Sequence, residues 1–292
     1  MVLLDFATLQ AAEFGQTDWR NNPFLLGKGT EPISHRRREG LAEGIKPSYI
    51  AGAAIDTCDA ILIRMMPLGT LEQVIFRMDV LQAAHNRGVV VMNPPRALET
   101  CIDKFLTTHR LAMAGVPTPR TWAGQLAADA MTAFTELGRD AVVKPLFGSE
   151  GKGVERLTNS EHAQQVFIAC ESAGNVIYLQ EFIPHPGWDL RVLVLGGRVL
   201  TAMRRHAVDG WRTNIALGGR GEAITLTDDE QRLALDAAKA VGCPIAGVDL
   251  LPGPNGYQVI EVNAVPGWKG LAAATGVDVA GHVIEHIVEL AR

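Results

Sequence analysis

No apolar run in this 292-residue sequence approaches the ~18–20 residues that a membrane-spanning helix needs. The first residues carry no basic region and meet Asp5 almost at once, so no secretory signal is expected and a cytoplasmic setting is. Cysteine is sparse: Cys58, Cys101, Cys170 and Cys243 lie far apart with no C-x-x-C pair. That pattern excludes a disulfide framework and a zinc knuckle and reads as scattered, reduced core thiols. A basic excess is also missing. The 27 Lys+Arg stand against 32 Asp+Glu, a net charge of −5, which argues against a nucleic-acid binder. What is present is ordinary globular material, 47% apolar and 20% charged, enough for a sizeable core and for two domains. The surplus is glycine, 30 residues where roughly 7% of a chain is typical.

Residues 5–57 give little pattern beyond the basic run His35–Arg38, which reads as a solvated loop. Ala60–Ile63 is a strand candidate, Thr70 and Gln73 form a capping-box pair opening a helix that closes at Gly88, and Val89–Met92 is a buried strand. Strand, helix and strand in that order predict a small α/β domain over residues 1–97. Beyond it, a helix is expected over Ile102–Ala114, and others near 128–137, 160–172 and 228–241. Strands are expected at Ala141–Lys144, Val176–Glu181, Leu190–Leu195, Val199–Arg204, Ile245–Leu251 and Tyr257–Val262. Short turns such as Gly196-Gly197 and Asn255-Gly256 pair them antiparallel, so residues 98–292 read as α+β.

Three groups of residues carry chemistry. The loop Gly148-Ser149-Glu150-Gly151-Lys152-Gly153 is neither a Walker loop nor a dinucleotide fingerprint, because Lys152 is followed by glycine and the order is G-x-x-G-x-G. A glycine-rich hairpin tip with exposed N–H groups folds over a polyphosphate, and Lys144 stands four residues upstream at a strand end. The second group is Asp249, Glu261 and Asn263. A turn centred on Asn255 sets Asp249 opposite Glu261 and puts Asn263 on the same face, with Ile260 and Val262 pointing away. Two carboxylates and an amide oxygen on one face suit Mg²⁺ or Mn²⁺. The third is a basic row, Arg191, Arg204, Arg205 and Arg212, with Asn214 just beyond. Arginine binds carboxylate and phosphate through paired hydrogen bonds. His282 and His286, at i and i+4, read instead as part of a solvated helix face with Glu285 and Glu289.

Taken in order these segments resemble the ATP-grasp superfamily, and within it the RimK-like carboxylate–amine ligases. The likeness runs through Asn93–Leu98, Asp103-Lys104, Ala114–Thr121, Val142–Pro145 and the glycine loop. It continues through Gln180–Ile183, Asp189–Val192, Arg212-Thr213-Asn214, Gly247–Asp249, Glu261–Asn263 with Pro266-Gly267, and Gly270–Asp278. The resemblance implies an ATP-grasp fold: a small N-terminal α/β domain, then two antiparallel-sheet subdomains, 98–185 with the lid and 186–292 with the metal site, clamping ATP. By that likeness Lys104 and Lys144 contact the phosphates, and the loop with Gly148, Ser149, Gly151 and Gly153 closes over them. Gln180, Glu181, Phe182 and Ile183 form the adenine-reading strand, and Asp189 lies near the ribose. Asp249, Glu261 and Asn263 hold two Mg²⁺ (or Mn²⁺) ions. Arg191, Arg204, Arg212 and Asn214 bind the substrate carboxylate and the transferred phosphoryl group. The implied reaction joins an amino acid, L-glutamate first among the candidates, to a carboxylate acceptor through an acyl phosphate. A pterin-type cofactor or a protein C-terminus is the acceptor, the cofactor preferred because no basic surface for an acidic tail is evident. Another ATP-grasp ligase, of dipeptide or D-alanine type, and a non-catalytic ATP-binding regulator are the alternatives. Neither nucleic acid nor membrane is an expected partner, and the family implies a homo-oligomer, dimer or tetramer.

Overall fold

A computed structural model describes residues 49–50, 53–55, 58–67, 69–148, 151–207, 210–213 and 220–292. The chain divides into two compact units, Met1–Pro95 with His282–Arg292, and Arg96–Gly281. The first unit thus takes in the C-terminal residues as well as the N-terminal ones. Its first described elements are a short antiparallel pair, β1 (Tyr49–Ile50) and β2 (Ala53–Ala54). Strands β3 (Ala60–Leu62) and β4 (Val90–Met92) pair parallel, and the crossover between them is helix α1 (Leu71–Asn86). Thr70 accepts from the Gln73 N–H and Gln73 reaches back to the Thr70 N–H, the expected capping box. Gly88, at φ 87°, ends the turn after the helix.

In the second unit a further helix, α2 (Pro95–Ile102), precedes the one expected over Ile102–Ala114, which is α3 (Lys104–Met113). Asp103 separates them: its carboxylate accepts from the Leu106 N–H and caps α3. Four strands follow, β5 (Thr121–Gly124), β6 (Ala141–Lys144), β7 (Glu155–Leu157) and β8 (Ile177–Glu181), in the order β5-β8-β6-β7 and wholly antiparallel. Helices α4 (Ala127–Glu136) and α5 (Ser160–Ser172) cover this sheet, with Phe134 and Phe167 edge to face at 6.2 Å over Ala141, Val143, Ile177 and Leu179.

The second sheet has five antiparallel strands in the order β11-β10-β9-β12-β13. They are β9 (Trp188–Leu195), β10 (Arg198–His206), β11 (Arg220–Ala223), β12 (Ile245–Gly253) and β13 (Gly256–Asn263). Helix α6 (Asp228–Ala240) packs on β12, β13, β9 and β10, and α7 (Lys269–Thr275) on β10 and β11; α8 (Val279–Leu290) ends the chain. Strands β5, β7 and β11 have no strong sequence signal, being short and half exposed.

Two registers differ from regular hairpins. In β12–β13, Gly253 pairs with Gly256, so the turn is centred between Pro254 and Asn255 and not on Asn255. A bulge at Ile260 then restores the Asp249–Glu261 pairing. Ile260 is consequently not turned away from Glu261 but lines the same cleft, whereas Val262 is buried as expected. In β9–β10 a bulge between Val199 and Thr201 sets Arg205, not Arg204, opposite Asp189. Cys101 and Cys243, separate in sequence, bring their sulfurs to 3.4 Å. Among the described residues no single helix is long and apolar enough to cross a membrane.

Candidate active site

A cleft of about 950 Å³, its open mouth included, lies within the second unit. One wall comes from β6, β8 and the β6–β7 loop, through Val142, Lys144 and Gln180 to Ile183. The other comes from the five-stranded sheet, through Asp189, Arg205, Asp249, Leu251, Ile260 and Glu261.

On the first wall a chain of polar side chains fixes one cation. Lys144 donates from Nζ to Gln180 Oε1 at 2.6 Å. The Gln180 amide donates to Thr121 Oγ1 at 3.0 Å and to the Tyr178 hydroxyl at 3.3 Å, so its oxygen has only the lysine to face. Burial pushes Lys144 down to about 8, Lys104 adds to the fall, and Glu261 opposes it. Lys104, in the first turn of α3, donates to the Gly148 carbonyl at 2.8 Å and is also lowered by burial. It therefore holds the near end of the glycine loop. The far end is held by Arg212, which donates to the Val154 carbonyl at 2.5 Å. Gly148, Gly151 and Gly153 have φ of 146°, 72° and 71°, a region that side chains disfavour. At Gly153 a Cβ would also stand 2.8 Å from Pro145 Cγ.

The second wall carries a row of ion pairs built by strand register. Asp189 and Arg191 are two apart on β9, and their partners on β10 and β12 are Arg205 and Asp249. Arg205 donates Nε to Asp189 Oδ1 at 2.8 Å and Nη2 to Asp189 Oδ2 at 2.5 Å, and Nη2 also lies 2.8 Å from Asp249 Oδ2. Arg191 grips Asp249 from the other side through Nε and Nη2. Burial works against the charge on Asp249, but Arg191 and Arg205 outweigh it and hold the carboxyl below its ordinary range. Arg205 is likewise held charged by its two carboxylates against burial. Thr213 donates its hydroxyl to Asp189 Oδ2 at 2.7 Å, closing the row. Gly247 makes room for it, because a Cβ there would stand 3.0 Å from both Arg191 Nη1 and Pro266 Cβ.

The structure brings together Lys104, Lys144, Gly148, Gly151, Gln180, Glu181, Phe182, Ile183, Asp189, Arg212, Asp249 and Glu261 around one cleft. Arg191 joins through Asp249, and Gly153 packs on Pro145. Ser149 and Asn214 lie outside the described residues. Arg204 is not brought in: it stands on the opposite face of the sheet with its guanidinium 4.4 Å from the Trp188 ring centre. Arg205 is the residue of that pair at the cleft. Asp189, expected beside a sugar, is wholly buried under Arg205 and Thr213. Thr213, from the Arg212–Asn214 segment, lines the cleft as well, and so do His185 and Trp211, which carried no weight in the sequence. His282 and His286 lie 3.6 and 4.0 Å from Glu285 and Glu289 on their own helix.

For a hard divalent cation the donor chemistry fits. Among the described residues no three His, Cys, Asp or Glu side chains gather, so the candidate set is two carboxylates and an amide. Glu261 stands opposite Asp249 and has no hydrogen-bonding partner among the described residues. Asn263 Oδ1 accepts one bond, from the Val265 N–H at 2.8 Å, and keeps its second lone pair.

The family model described as the RimK-like ATP-grasp domain matches residues 101–287. The chain is 32% identical over 258 residues to a tetrahydromethanopterin:alpha-L-glutamate ligase of Methanosarcina acetivorans, covering 78% of this chain and 79% of that one. It is 38% identical over 216 residues to a probable alpha-L-glutamate ligase of Thioalkalivibrio sulfidiphilus, covering 73% and 72%. Among solved structures it is similar to the ATP-grasp ligase PsnB complexed with minimal precursor, Mg and ADP. There the TM-score is 0.65 at 25% identity, over 84% of this chain and 82% of that one.

Proposed function

The chain belongs to the RimK-like ATP-grasp family and is an ATP-dependent carboxylate–amine ligase, and from that premise we propose that it adds L-glutamate to a pterin-type acceptor bearing a carboxylate. The observation that carries the reading is the pair of opposed walls: Lys104, Lys144 and the glycine loop face Asp249 and Glu261 across one cleft. Relatives whose names specify alpha-L-glutamate support the amine, and the pterin in the archaeal relative's name supports the acceptor.

The chemistry follows from the weakness of a carboxylate as an electrophile. Transfer of the γ-phosphoryl group to the acceptor carboxylate releases ADP and gives an acyl phosphate. The glutamate amine then attacks the acyl carbon, the C–N bond forms, the C–O bond to phosphate breaks, and the amine proton is lost. Positioning and charge neutralisation supply most of the catalysis, so no nucleophilic side chain is needed. Lys104 and Lys144 are proposed to neutralise phosphate oxygens and to steady the loop that excludes water from the acyl phosphate. The backbone of Glu181–Ile183 is proposed to read adenine. Arg191 and Arg205 keep Asp249 ionised and aimed. Arg212 and Asn214 are proposed to meet the transferred phosphoryl group and the substrate carboxylate. Asp249, Glu261 and Asn263 are proposed to hold two Mg²⁺ ions, which supply charge neutralisation at the phosphates when bound.

The test is ADP release from the purified protein with Mg²⁺, ATP, L-glutamate and a reduced pterin carrying a carboxylate, with the product weighed by mass spectrometry. Turnover that requires all four, and a pterin heavier by glutamyl units, is expected. ADP formation indifferent to both glutamate and acceptor defeats the proposal, and a product formed on an acidic peptide in place of the pterin corrects the acceptor.

A further inference from the structure

Asp189 lines the cleft where a sugar is expected, but its carboxylate is largely committed within the protein. The Asp189 carboxylate is 1% exposed and takes two bonds from Arg205 and one from Thr213. One lone pair, on Oδ1, is left for a ribose hydroxyl, so the sugar has room for a second reader. A different polar side chain lines the cleft between the base-reading strand and Asp189, and it is His185.

His185 sits in the link Pro184-His185-Pro186-Gly187 between β8 and β9. The flanking prolines restrict the backbone on either side, and Gly187 turns it at φ 81°. The Gly187 N–H donates to His185 Nδ1 at 3.3 Å. A ring nitrogen that accepts an N–H carries no proton, so in the neutral imidazole the proton is on Nε2. Burial favours that neutral form, Arg156 adds to it, and Asp189 opposes it. Nε2 has no partner among the described residues, so the ring presents one free donor. The ring centre is 6.0 Å from that of Phe182, within the segment expected to read the base, and a sugar is the next part of a nucleotide along the chain from the base.

We propose that His185 reads the nucleotide sugar, its Nε2–H donating to a ribose hydroxyl oxygen. The proposal rests on the cleft's being the ATP site, and it names a nucleotide-binding residue and not one that touches the reacting carbons. It makes the protein selective for ribonucleotides through a side chain outside the Asp189–Arg205 pair.

Calorimetric affinities for ATP, 2′-deoxyATP and 3′-deoxyATP with Mg²⁺ test it in the parent protein, in His185→Ala and in His185→Gln, whose amide keeps a donor. One neutral hydrogen bond corresponds to roughly 3- to 10-fold in affinity. The parent should bind at least one deoxy analogue that much more weakly than ATP, and which analogue suffers identifies the hydroxyl. His185→Ala should bind ATP as weakly as the parent binds that analogue, the ratio collapsing to about one, and His185→Gln should keep part of it. Melting temperatures of the three proteins without nucleotide establish that each is folded. Equal affinities for all three nucleotides in the parent, or an unchanged ratio in folded His185→Ala, overturns the role of His185 alone. Failure of the parent to bind ATP overturns the nucleotide reading of the cleft and this role with it.

Discussion

Arg205 sits between Asp189 and Asp249 and pairs with both, so its removal leaves the buried Asp189 carboxylate without a cation and Asp249 with Arg191 alone. Truncating one partner of a buried ion pair costs about 3–5 kcal/mol. Arg205→Ala should lose stability on that scale in urea titrations and should have little ligase activity, because Asp249 loses its aim. Arg204→Ala removes only a half-buried cation stacked on Trp188 and should cost under about 1 kcal/mol. An equal loss of activity in both variants would contradict the placement of the two residues. Lys144 gives a pH prediction. Its folded pKa is about 8, below the free-lysine value of 10.5, so the charged form opposes folding below pH 8 and that penalty fades as pH rises towards 10.5. Phosphate binding needs the same charge, so kcat/KM for ATP should fall as pH rises past about 8. In Lys144→Arg, each profile scaled to its own maximum, the fall should disappear. At this scale the sequence was informative about residue types and about the Asp249–Glu261 pair, and uninformative about which arginine faces Asp189. Lys144 and the acidic residues were legible from spacing, whereas the arginine of choice depended on an offset no composition records.

That offset belongs to the elements. A regular hairpin about Gly196-Gly197, continued from the Arg198–Leu195 pair, would face Arg204 to Asp189; the bulge at Leu200 substitutes Arg205. A regular hairpin continued from Gly253–Gly256 would face Asp249 to Ile260, and the second bulge brings Glu261 there. Bulges have weak local signatures, which is why register was the least legible feature. Most strands and helices were legible, because period-two patterns, caps and glycine stops mark them in the chain. Capping makes one element-scale prediction. Thr227 accepts from the Glu230 N–H at 3.3 Å, and Glu230 accepts from the Thr227 N–H at 2.7 Å, at the start of α6. Thr227→Ala should cost about 1 kcal/mol in urea and leave kcat unchanged, since α6 is remote from the cleft lining. The glycine loop makes the opposite prediction. Gly153→Ala forces a left-handed alanine, about 1–2 kcal/mol, and sets its Cβ against Pro145. Its signature should be a raised KM for ATP, together with more ADP formed per product, because a displaced loop admits water to the acyl phosphate.

For the whole molecule, charge is distributed against the average. The chain carries −5, yet five basic and four acidic residues line the cleft, so a polyanion is drawn to a locally positive site on an acidic protein. The two walls contribute different parts of that site: Lys144 and the glycine loop on one, Asp249 and Glu261 with Arg205 on the other. A nucleotide touching both adds its binding energy to the stability of the unit that contains them, by about 2.7 kcal/mol at a concentration one hundred times its Kd. ADP should therefore raise the melting temperature of the parent protein by several degrees, and more with Mg²⁺ than without. Glu261 is the carboxylate not spent on an arginine, so Glu261→Gln should keep the nucleotide's own stabilisation and lose the increment that Mg²⁺ adds. Asp249→Asn is a poorer probe, because it also releases Arg191 and Arg205 and destabilises the apo protein. If Glu261→Gln retained the full Mg²⁺ increment, the cation would have to be held elsewhere. The opposed strands β12 and β13 would then be a wall of the nucleotide cleft and not its metal site.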